Sequence, residues 1–325
     1  MKHALITGGA GYIGSHMAHL LIEKNYRVTI IDDLSTGFRE NIAPEARFVE
    51  LNLCHQTHTV QAITELQPDV IFHFAAKSLV GESMQQPWTY IHENCLMTQN
   101  ILAAMKQVQC KHLVYSSSCA VYGKATISPI PEHHAHNPLS PYGESKSMSE
   151  CMIQAATSEW GLNAVALRYF NVAGCGHNPL LQERHEPETH LIPNLLIAVK
   201  NEQTFTLYGT NHNTSDGTAI RDYIHVQDLV ENHAVAGEKL LNAAWGGWHA
   251  FNLGSGHGYS VQQVLATVEK ITRKSIHVQI CPPRAGDPPK LLADTNLWLK
   301  KTSQHASRKN IHAIIQSAWC AFTSE

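Results

Sequence analysis

The sequence predicts an α/β fold in which a doubly wound parallel sheet is followed by a smaller C-terminal lobe. Short and almost continuously apolar segments alternate with segments of helical periodicity in the first half of the chain, as in a parallel sheet that is covered on both faces. A glycine-rich loop follows the first apolar segment. The chain has 325 residues, and because single cores stop growing near about 250–300 residues, a second lobe is expected.

The elements of the first lobe can be predicted in chain order. Buried strands are expected at His3–Thr7, Arg27–Asp32, Arg47–Leu51, Asp69–Ala75, His112–Ser116 and Ala164–Phe170. Helices are expected at Tyr12–Lys24, Thr57–Leu66, Pro87–Gln107 and Pro141–Trp160. The last helix has Ser140 as N-cap, proline at its first position and Gly161 as a stop. In such a sheet, ligands bind beyond the carboxyl ends of the strands.

The alternation ends after Phe170, where residues 171–189 are rich in Gly, Pro, His and Glu. Further helices are expected at His190–Glu202, Ser260–Arg273 and Asn310–Phe322, and strands at Thr204–Tyr208 and Ile276–Ile280. A strand at Ile220–His225 and a helix at Val226–Leu241 repeat the earlier pattern and are predicted to return to the first sheet. We therefore expect a Rossmann domain over residues 1–171, which also receives segments near 220–255, and a substrate-binding lobe over residues 172–325.

Composition and charge exclude several classes of partner. The hydrophobic fraction of 43% and the charged fraction of 16% are ordinary for a globular protein. With a formal net charge of -3, the chain has no overall attraction to nucleic acid or to an anionic membrane surface. It contains no run of about 18 apolar residues that could span a membrane, and it enters its first strand too early for a signal peptide.

Cysteine and histidine usage points to a cytoplasmic protein without a metal site. The eight cysteines are scattered and form no Cys-x-x-Cys pair, which favours reduced thiols. His133, His134 and His136 lie in a proline-flanked loop with no cysteine or carboxylate pattern of the structural-zinc type. They are therefore interpreted as surface histidines.

A nucleotide site is predicted at the loop after the first strand. Gly8, Gly11 and Gly14 are spaced by three residues and open a helix, so the backbone can approach a pyrophosphate that the helix N-terminus stabilises. Asp32 ends the second strand, about 20 residues further on, where a carboxylate would bind the adenosine ribose. Because its charge would repel a 2′-phosphate, the expected cofactor is NAD.

Tyr142 and Lys146 are predicted to be a proton-transfer pair. Residues at i and i+4 share one helix face, and the helix begins directly before Tyr142. A free tyrosine has a pKa near about 10, but a nearby ammonium and an oxidised nicotinamide would favour the phenolate. Ser118 follows the fifth predicted strand and could bind the substrate oxygen that Tyr142 deprotonates.

Charged residues of the second half are candidates for binding an anionic, hydroxylated substrate. Arg221 and Arg284 could grip phosphate oxygens bidentately, and Asp287 could accept from sugar hydroxyls. On the residues alone, surface salt bridges explain these side chains equally well.

Several motifs together resemble the extended short-chain dehydrogenase/reductase superfamily. They are Thr7–Gly14, His73–Ala76, Val80–Ser83, Ser116–Ser118, Val121–Gly123, Ser140–Lys146 and Arg168–Asn171. Within that superfamily, the segments His190–Pro193, Asp216–Thr218, Arg221–His225 and Arg284–Asp287 are similar to those of the UDP-glucose 4-epimerase family. The likeness covers nearly the whole chain.

The resemblance implies site residues for the whole reaction. It makes Tyr142 the catalytic base, Lys146 the residue that orients the nicotinamide ribose, and Ser118 an aid to proton transfer. Besides the glycines of the loop, it places at the cofactor Tyr12, Ile13, Asp32, Asp33, Leu34, Ser35, Thr36, Gly37, Asn52, Leu53, Phe74, Ala75, Ala76, Lys77, Ser78, Asn94 and Phe170. It places at the UDP-sugar Asn171, His190, Leu191, Thr206, Leu207, Tyr208, Arg221, Arg284 and Asp287.

The implied activity is the interconversion of UDP-glucose and UDP-galactose by a cytoplasmic homodimer. Tyr142 would take the proton of the sugar 4-hydroxyl while the hydride passes to NAD, and the hydride would return to the other face of the keto sugar. Binding energy from the UDP end would hold this intermediate in the site.

Three positions depart from the family pattern. Asn52 replaces an aspartate near the adenine, Ser78 replaces a lysine near the pyrophosphate, and Leu291 occupies a position tied to room for an N-acetyl group. A branched apolar side chain at 291 indicates that this pocket is not widened for N-acetylhexosamines.

Three alternatives remain at this level. An epimerase for UDP-glucuronate or UDP-N-acetylglucosamine would differ by few contacts. A nucleotide-sugar 4,6-dehydratase would carry an Asp-Glu pair directly after the strand-end serine, where this chain has Cys119 and Ala120. A catalytically silent NAD-binding regulator would be favoured by loss of Tyr142 or Lys146, and both are present.

Overall fold

The structure, a computed structural model, describes residues 1–176, 178–284 and 288–324. Its strands are β1 (His3–Thr7), β2 (Arg27–Asp32), β3 (Arg47–Glu50), β4 (Val70–His73), β5 (His112–Ser118), β6 (Asn163–Tyr169), β7 (Asn171–Ala173), β8 (Phe205–Tyr208), β9 (Ile220–His225), β10 (Trp248–Leu253), β11 (Gly258–Ser260), β12 (Val278–Cys281) and β13 (Lys290–Leu291). Its α-helices are α1 (Tyr12–Glu23), α2 (Gln56–Leu66), α3 (Val80–Gln85), α4 (Pro87–Val108), α5 (Pro141–Trp160), α6 (Leu191–Lys200), α7 (Val226–Leu241), α8 (Val261–Thr272), α9 (Asn296–Thr302) and α10 (Ile311–Phe322).

Seven strands form the main sheet in the order β10-β6-β5-β4-β1-β2-β3. The pairs β1–β2, β1–β4, β2–β3 and β4–β5 are parallel, which confirms the predicted doubly wound class. The chain leaves β1 first toward β3 and later toward β6, so the order reverses between β1 and β4. A reversal of this kind opens the crevice in which doubly wound proteins bind ligands. In that register Thr7 lies beside both Ile31 and His73.

The prediction that Ile220–His225 belongs to the first sheet is wrong. As β9 it pairs with β11, β13 and β7 in a separate sheet. The strand that completes the main sheet is β10, Trp248–Leu253, which is not among the strands predicted from the sequence. Apolar periodicity identifies a strand but not its partners, because the pairing depends on residues far away in the chain. The other small sheet pairs β8 with β12 in parallel.

Internal contacts divide the chain into two compact units. The first unit comprises residues 1–123, 135–168 and 230–251, and the second comprises residues 124–134, 169–229 and the described residues from 252 onward. Each unit has its own apolar core. The first core includes Leu5, Ile31, Ile71, Leu113 and Ile153, and the second includes Ile192, Leu195, Tyr223, Val264 and Ile315.

Helix α5 has the predicted bounds because its capping signals act locally. The hydroxyl of Ser140 accepts the amide of Gly143 at 3.1 Å, and Pro141 occupies the first turn. The helix ends at Gly161, whose φ of +75° lies in the left-handed region that glycine adopts without strain.

The helices of the described residues include none that is both long enough and apolar enough to cross a membrane. All eight cysteines lie within the described part of the chain, and they are free thiols.

Candidate active site

The loop between β1 and α1 has a shape that only glycine permits at two positions. A Cβ atom at Gly14 would lie 2.1 Å from the carbonyl oxygen of Gly8, and one at Gly8 would lie 2.6 Å from the amide nitrogen of Ala75. Within the described residues, the first turn of α1 contains no acidic side chain, and no side chain caps its N-terminus at Gly11. The start of the helix is therefore suited to an anionic group.

Asp32 holds a buried carboxylate at the carboxyl end of β2. It is 9% exposed, and it accepts the amides of Ala10 and Leu34, each at 2.9 Å. Burial raises the pKa of Asp32, although both amides oppose this shift. Each carboxylate oxygen can accept a second hydrogen bond, so the group retains capacity for the hydroxyls of a ribose.

A hydrogen bond links Asp33, which follows β2, to Asn52, which lies shortly after β3. The amide of Asn52 donates to the carboxylate of Asp33 at 2.9 Å, and the Asn52 side-chain oxygen accepts the amide of Cys54 at 2.8 Å. Leu53 is buried, whereas Ser35 and Thr36 are exposed. At position 52, an amide can donate to Asp33 where an aspartate could not.

Asn94, on α4, secures the segment after β4. Its amide nitrogen donates to the carbonyl of Lys77 at 3.0 Å and to the hydroxyl of Ser145 at 2.9 Å, and its oxygen accepts the Lys77 amide at 2.8 Å. This side chain therefore joins the segment Phe74–Ser78 to the first turns of α5. Ser78 itself is exposed.

Lys146, in the second turn of α5, is almost completely buried. It is 2% exposed and donates to the carbonyl of Ser116 at 2.8 Å. Its ammonium lies 5.9 Å from the ring centre of Tyr142, which is 8% exposed. Burial lowers the pKa of Lys146 to about 7, against the opposing charge of Glu150. The predicted pair is therefore assembled in a site that is largely shielded from water.

Ser118 ends β5 in the same unit. Its hydroxyl oxygen accepts the amide of Ala120 at 3.1 Å at the start of the turn Cys119–Tyr122. A hydroxyl that accepts one bond can still donate its proton to another oxygen. Ser118 is 9% exposed.

His73 is a further buried residue of this unit, and the sequence predicts no role for it. Its ring bonds Thr7 at 2.8 Å and Thr98 at 3.3 Å, and it is 2% exposed. Burial, and after it the charge of Lys146, lowers the pKa of His73 to about 3. A neutral ring thus joins the carboxyl end of β1 to α4. The signal that could have found it was its place near the carboxyl end of the predicted strand Asp69–Ala75.

In the second unit, Arg221 and Asn171 lie on neighbouring strands. Asn171 donates to the carbonyl of Asp222 at 2.8 Å. Arg221 lies on β9 in register with Tyr259 on one side and Leu291 on the other. The predicted phosphate ligand and the predicted N-acetyl position are therefore neighbours on adjacent strands.

His190 occupies the position directly before α6, within a cluster of histidines and glutamates. Its Nδ1 lies 2.5 Å from Glu183, and the carboxylate of Glu188 accepts the amides of Thr189 and His190 at 2.7 and 2.8 Å. Nitrogen and oxygen atoms of Glu183, His185 and His190 lie within 4.8 Å of one another. Burial lowers the pKa of His190, but the bond and charge of Glu183 outweigh it and raise the pKa overall. The cluster therefore presents His190 as a readily protonated side chain.

Thr206, Leu207 and Tyr208 form the end of β8, and Leu191 begins α6. The guanidinium of Arg284 lies 4.4 Å above the ring of Tyr208. Asp287 lies outside the described residues.

The structure thus sorts the predicted residues between the two units. The predicted cofactor residues lie in the first unit together with Ser118, Tyr142 and Lys146, except for Phe170, which lies in the second unit. The described members of the predicted UDP-sugar set, apart from Ser118 and Tyr142, lie in the second unit.

Comparisons with known proteins give consistent matches. The model of the NAD dependent epimerase/dehydratase family matches residues 4–254. The UDP-glucose 4-epimerase of Corynebacterium glutamicum is 40% identical over 98% of this chain and 95% of its own length. That of Lactobacillus helveticus is 38% identical over 97% of this chain and 95% of its own. The crystal structure of UDP-glucose 4-epimerase from Brucella ovis in complex with NAD has a TM-score of 0.94 at 39% identity, over 99% of this chain and 98% of that chain.

Proposed function

Because this chain belongs to the NAD dependent epimerase/dehydratase family, we propose that it interconverts UDP-glucose and UDP-galactose as a UDP-glucose 4-epimerase. The observation that carries the proposal is similarity over nearly the full length to proteins of that name. It extends through the second unit, which holds most of the predicted UDP-sugar residues.

The first unit fits NAD as the cofactor. The close approach of Gly14 to Gly8 leaves backbone rather than side chain at the start of α1, where a pyrophosphate would bind. The carboxylate of Asp32 would bind the adenosine ribose, and Lys146 and Tyr142 would lie at the nicotinamide ribose. Once bound, NAD would supply a hydride acceptor and donor for C4 of the sugar.

The chain's own groups then move the proton. Tyr142 takes the proton of the 4-hydroxyl and returns it in the reverse step, and the ammonium of Lys146 stabilises the phenolate form. Lys146 has three donors and uses one on the carbonyl of Ser116. Ser118 donates to the sugar oxygen while its own oxygen accepts the amide of Ala120.

The second unit supplies the anchor for UDP. Arg221 and Arg284 would bind diphosphate oxygens, since guanidinium groups match them bidentately. His190, whose pKa is raised by its bond to Glu183 against the effect of burial, would donate a further hydrogen bond to the diphosphate. With the UDP end anchored, the keto sugar can rotate between the two hydride transfers and present its other face.

A nucleotide-sugar 4,6-dehydratase is less well supported. After Ser118 the turn begins with Cys119 and Ala120, which provide no acid and base for the elimination of water. An active enzyme is favoured over a silent NAD-binding regulator because Tyr142 and Lys146 are present and buried.

The proposal includes a homodimer in the cytoplasm. Met84 on α3 and Trp88 on α4 are 61% and 73% exposed, and large exposed apolar side chains are common at interfaces. Light scattering should give twice the mass of one chain, and Trp88→Glu should halve it. The free thiols fit a reducing compartment.

The test of the activity is direct. Purified protein with bound cofactor is expected to interconvert UDP-glucose and UDP-galactose, followed by NMR of the anomeric protons, without net NADH release. Tyr142→Phe should keep NAD and lose about 10²–10⁴-fold in turnover. No interconversion by the wild type would contradict the proposal, and an unchanged rate in the variant would remove the tyrosine from its role.

A substrate panel resolves the choice among sugars. UDP-glucose, UDP-N-acetylglucosamine and UDP-glucuronate are compared on one preparation, with Leu291→Ala alongside. We expect the wild type to prefer UDP-glucose and the variant to gain activity mainly on the N-acetyl sugar. Equal rates of the wild type on the first two would contradict the assigned preference.

A further inference from the structure

Glu150 is a buried carboxylate on α5, the helix that carries Tyr142 and Lys146. It has no role in the proposed proton transfer. It lies on α5 at the i+4 position after Lys146 and is 3% exposed. Arg168, on β6, is 5% exposed and donates to this carboxylate. Its Nε lies 2.9 and 3.2 Å from the two oxygens of Glu150, and its Nη2 lies 2.5 Å from Oε2. A charged pair buried this deeply is weak evidence for stability, since apolar pairs can replace such pairs at little cost.

The same carboxylate binds the strand that ends in Ser118. The hydroxyl of Ser117 donates to Glu150 at 2.5 Å. Nη1 of Arg168 donates to the hydroxyl of Tyr122 at 3.0 Å. Tyr122 lies in the turn that begins directly after Ser118. Glu150 therefore connects α5 to the residues on both sides of Ser118, either directly or through one guanidinium.

We propose that Glu150, held by Arg168 and Ser117, is a positioning residue that sets the placement of Ser118 relative to Tyr142. Its activity readout rests on the proposed epimerase function. Tyr142, Lys146 and Glu150 recur every four residues and so lie on one face of α5.

Directional bonds suit this task better than apolar packing does. A carboxylate that accepts from an arginine and from a serine fixes both the distance and the rotation of the helix relative to the strand. An apolar contact of the same size allows sliding. In enzymes, a misplacement of reacting groups by about 1 Å can lower the rate by about 10²-fold.

The bond from Lys146 to the Ser116 carbonyl at 2.8 Å is a second tether between α5 and β5. The two tethers meet the strand at adjacent residues, 116 and 117. Asn94 and Thr98 of α4 also bind α5, through Ser145 and Ser149. Removing the Glu150 tether should therefore leave the helix in place but loosen its alignment with β5, so turnover should fall while binding of UDP-glucose is kept.

The test separates positioning from stability. Glu150→Met/Arg168→Met removes both charges of the pair together, so neither partner is left as a buried unpaired charge. Because Glu150 also raises the pKa of Lys146 against burial, Ser117→Ala, which keeps that charge, is the variant that isolates positioning. Its thermal midpoint and bound NAD should stay close to wild type, with an unchanged KM for UDP-glucose, while kcat falls about 100-fold. Ser117→Ala cuts only the bond to the strand and should lower kcat about 10-fold with the same KM.

The matched control is Lys106→Met/Glu159→Met. This pair, 2.5 Å apart and exposed, also joins α5 to a neighbouring element, α4, and its double substitution should leave kcat unchanged. Wild-type kcat in the folded Glu150/Arg168 variant would overturn the proposal. If that variant does not fold, the kcat of Ser117→Ala decides, and a value equal to wild type overturns it. An inactive wild type and an inactive control would instead contradict the epimerase function.

Discussion

Replacing Lys146 with methionine is expected to slow turnover because the phenolate of Tyr142 loses a nearby buried cation. The ammonium lies 5.9 Å from the tyrosine ring centre. At about 6 Å and an effective dielectric constant of about 20, the lost interaction is about 2.8 kcal/mol, or about 100-fold less phenolate. We therefore expect kcat to fall about 100-fold at about pH 6, where the ammonium is present in the wild type.

The size of this loss should depend on pH. Burial lowers the pKa of Lys146 to about 7, so the wild-type ammonium is present below that pH and is lost as the pH rises through it. The ratio of wild-type to variant kcat should therefore be greatest below about pH 7 and shrink toward about pH 9.

The assay is a pH series of initial rates, with bound NAD measured on each preparation. Lys106→Met, an exposed lysine on α4, serves as the control and should follow the wild type throughout. A ratio that stays constant from about pH 6 to about pH 9 would refute the electrostatic role. Loss of NAD from the variant would show that Lys146 acts by binding the cofactor instead.

Three further outcomes follow from the structure. Gly14→Ala should yield protein with little NAD after purification, because its Cβ would lie 2.1 Å from the Gly8 carbonyl, whereas Gly81→Ala, with nothing within 4 Å, should retain NAD. The pKa of His73, lowered to about 3, means that the unfolded chain gains a proton below about pH 6.5 while the native ring stays neutral. The free energy of unfolding measured with urea should therefore fall by about 2 kcal/mol between pH 6.5 and pH 5. This decrease should be smaller in His73→Asn. Asp222 accepts four hydrogen bonds at 2.7 to 3.0 Å, so Asp222→Asn should lower the unfolding free energy by about 2–3 kcal/mol, seen as a lower urea midpoint.

Much of the first unit follows from local patterns. Strands β1 to β6 and the glycine loop were predicted from short apolar runs and glycine spacing, whereas β10 was not. Helix α5 was predicted with both of its ends because a serine, a proline and a glycine mark them. The second unit was harder. The short strands β7, β11 and β13 have two or three residues each, too few to show a periodicity.

The amino-acid sequence by itself determined the doubly wound class, the nucleotide loop and the Tyr142–Lys146 spacing, because each depends on residues within one turn, strand or helix. Only the tertiary structure decided that β9 leaves the main sheet and β10 joins it, and that Glu150 meets Ser117, 33 positions away, and Arg168, 18 positions away. The strand pairing and these contacts depend on which surfaces, distant in sequence, pack together and exclude water. The burial that results lowers the pKa of Lys146. A helical spacing of four could place the pair on one face, but only tertiary packing made it a buried site.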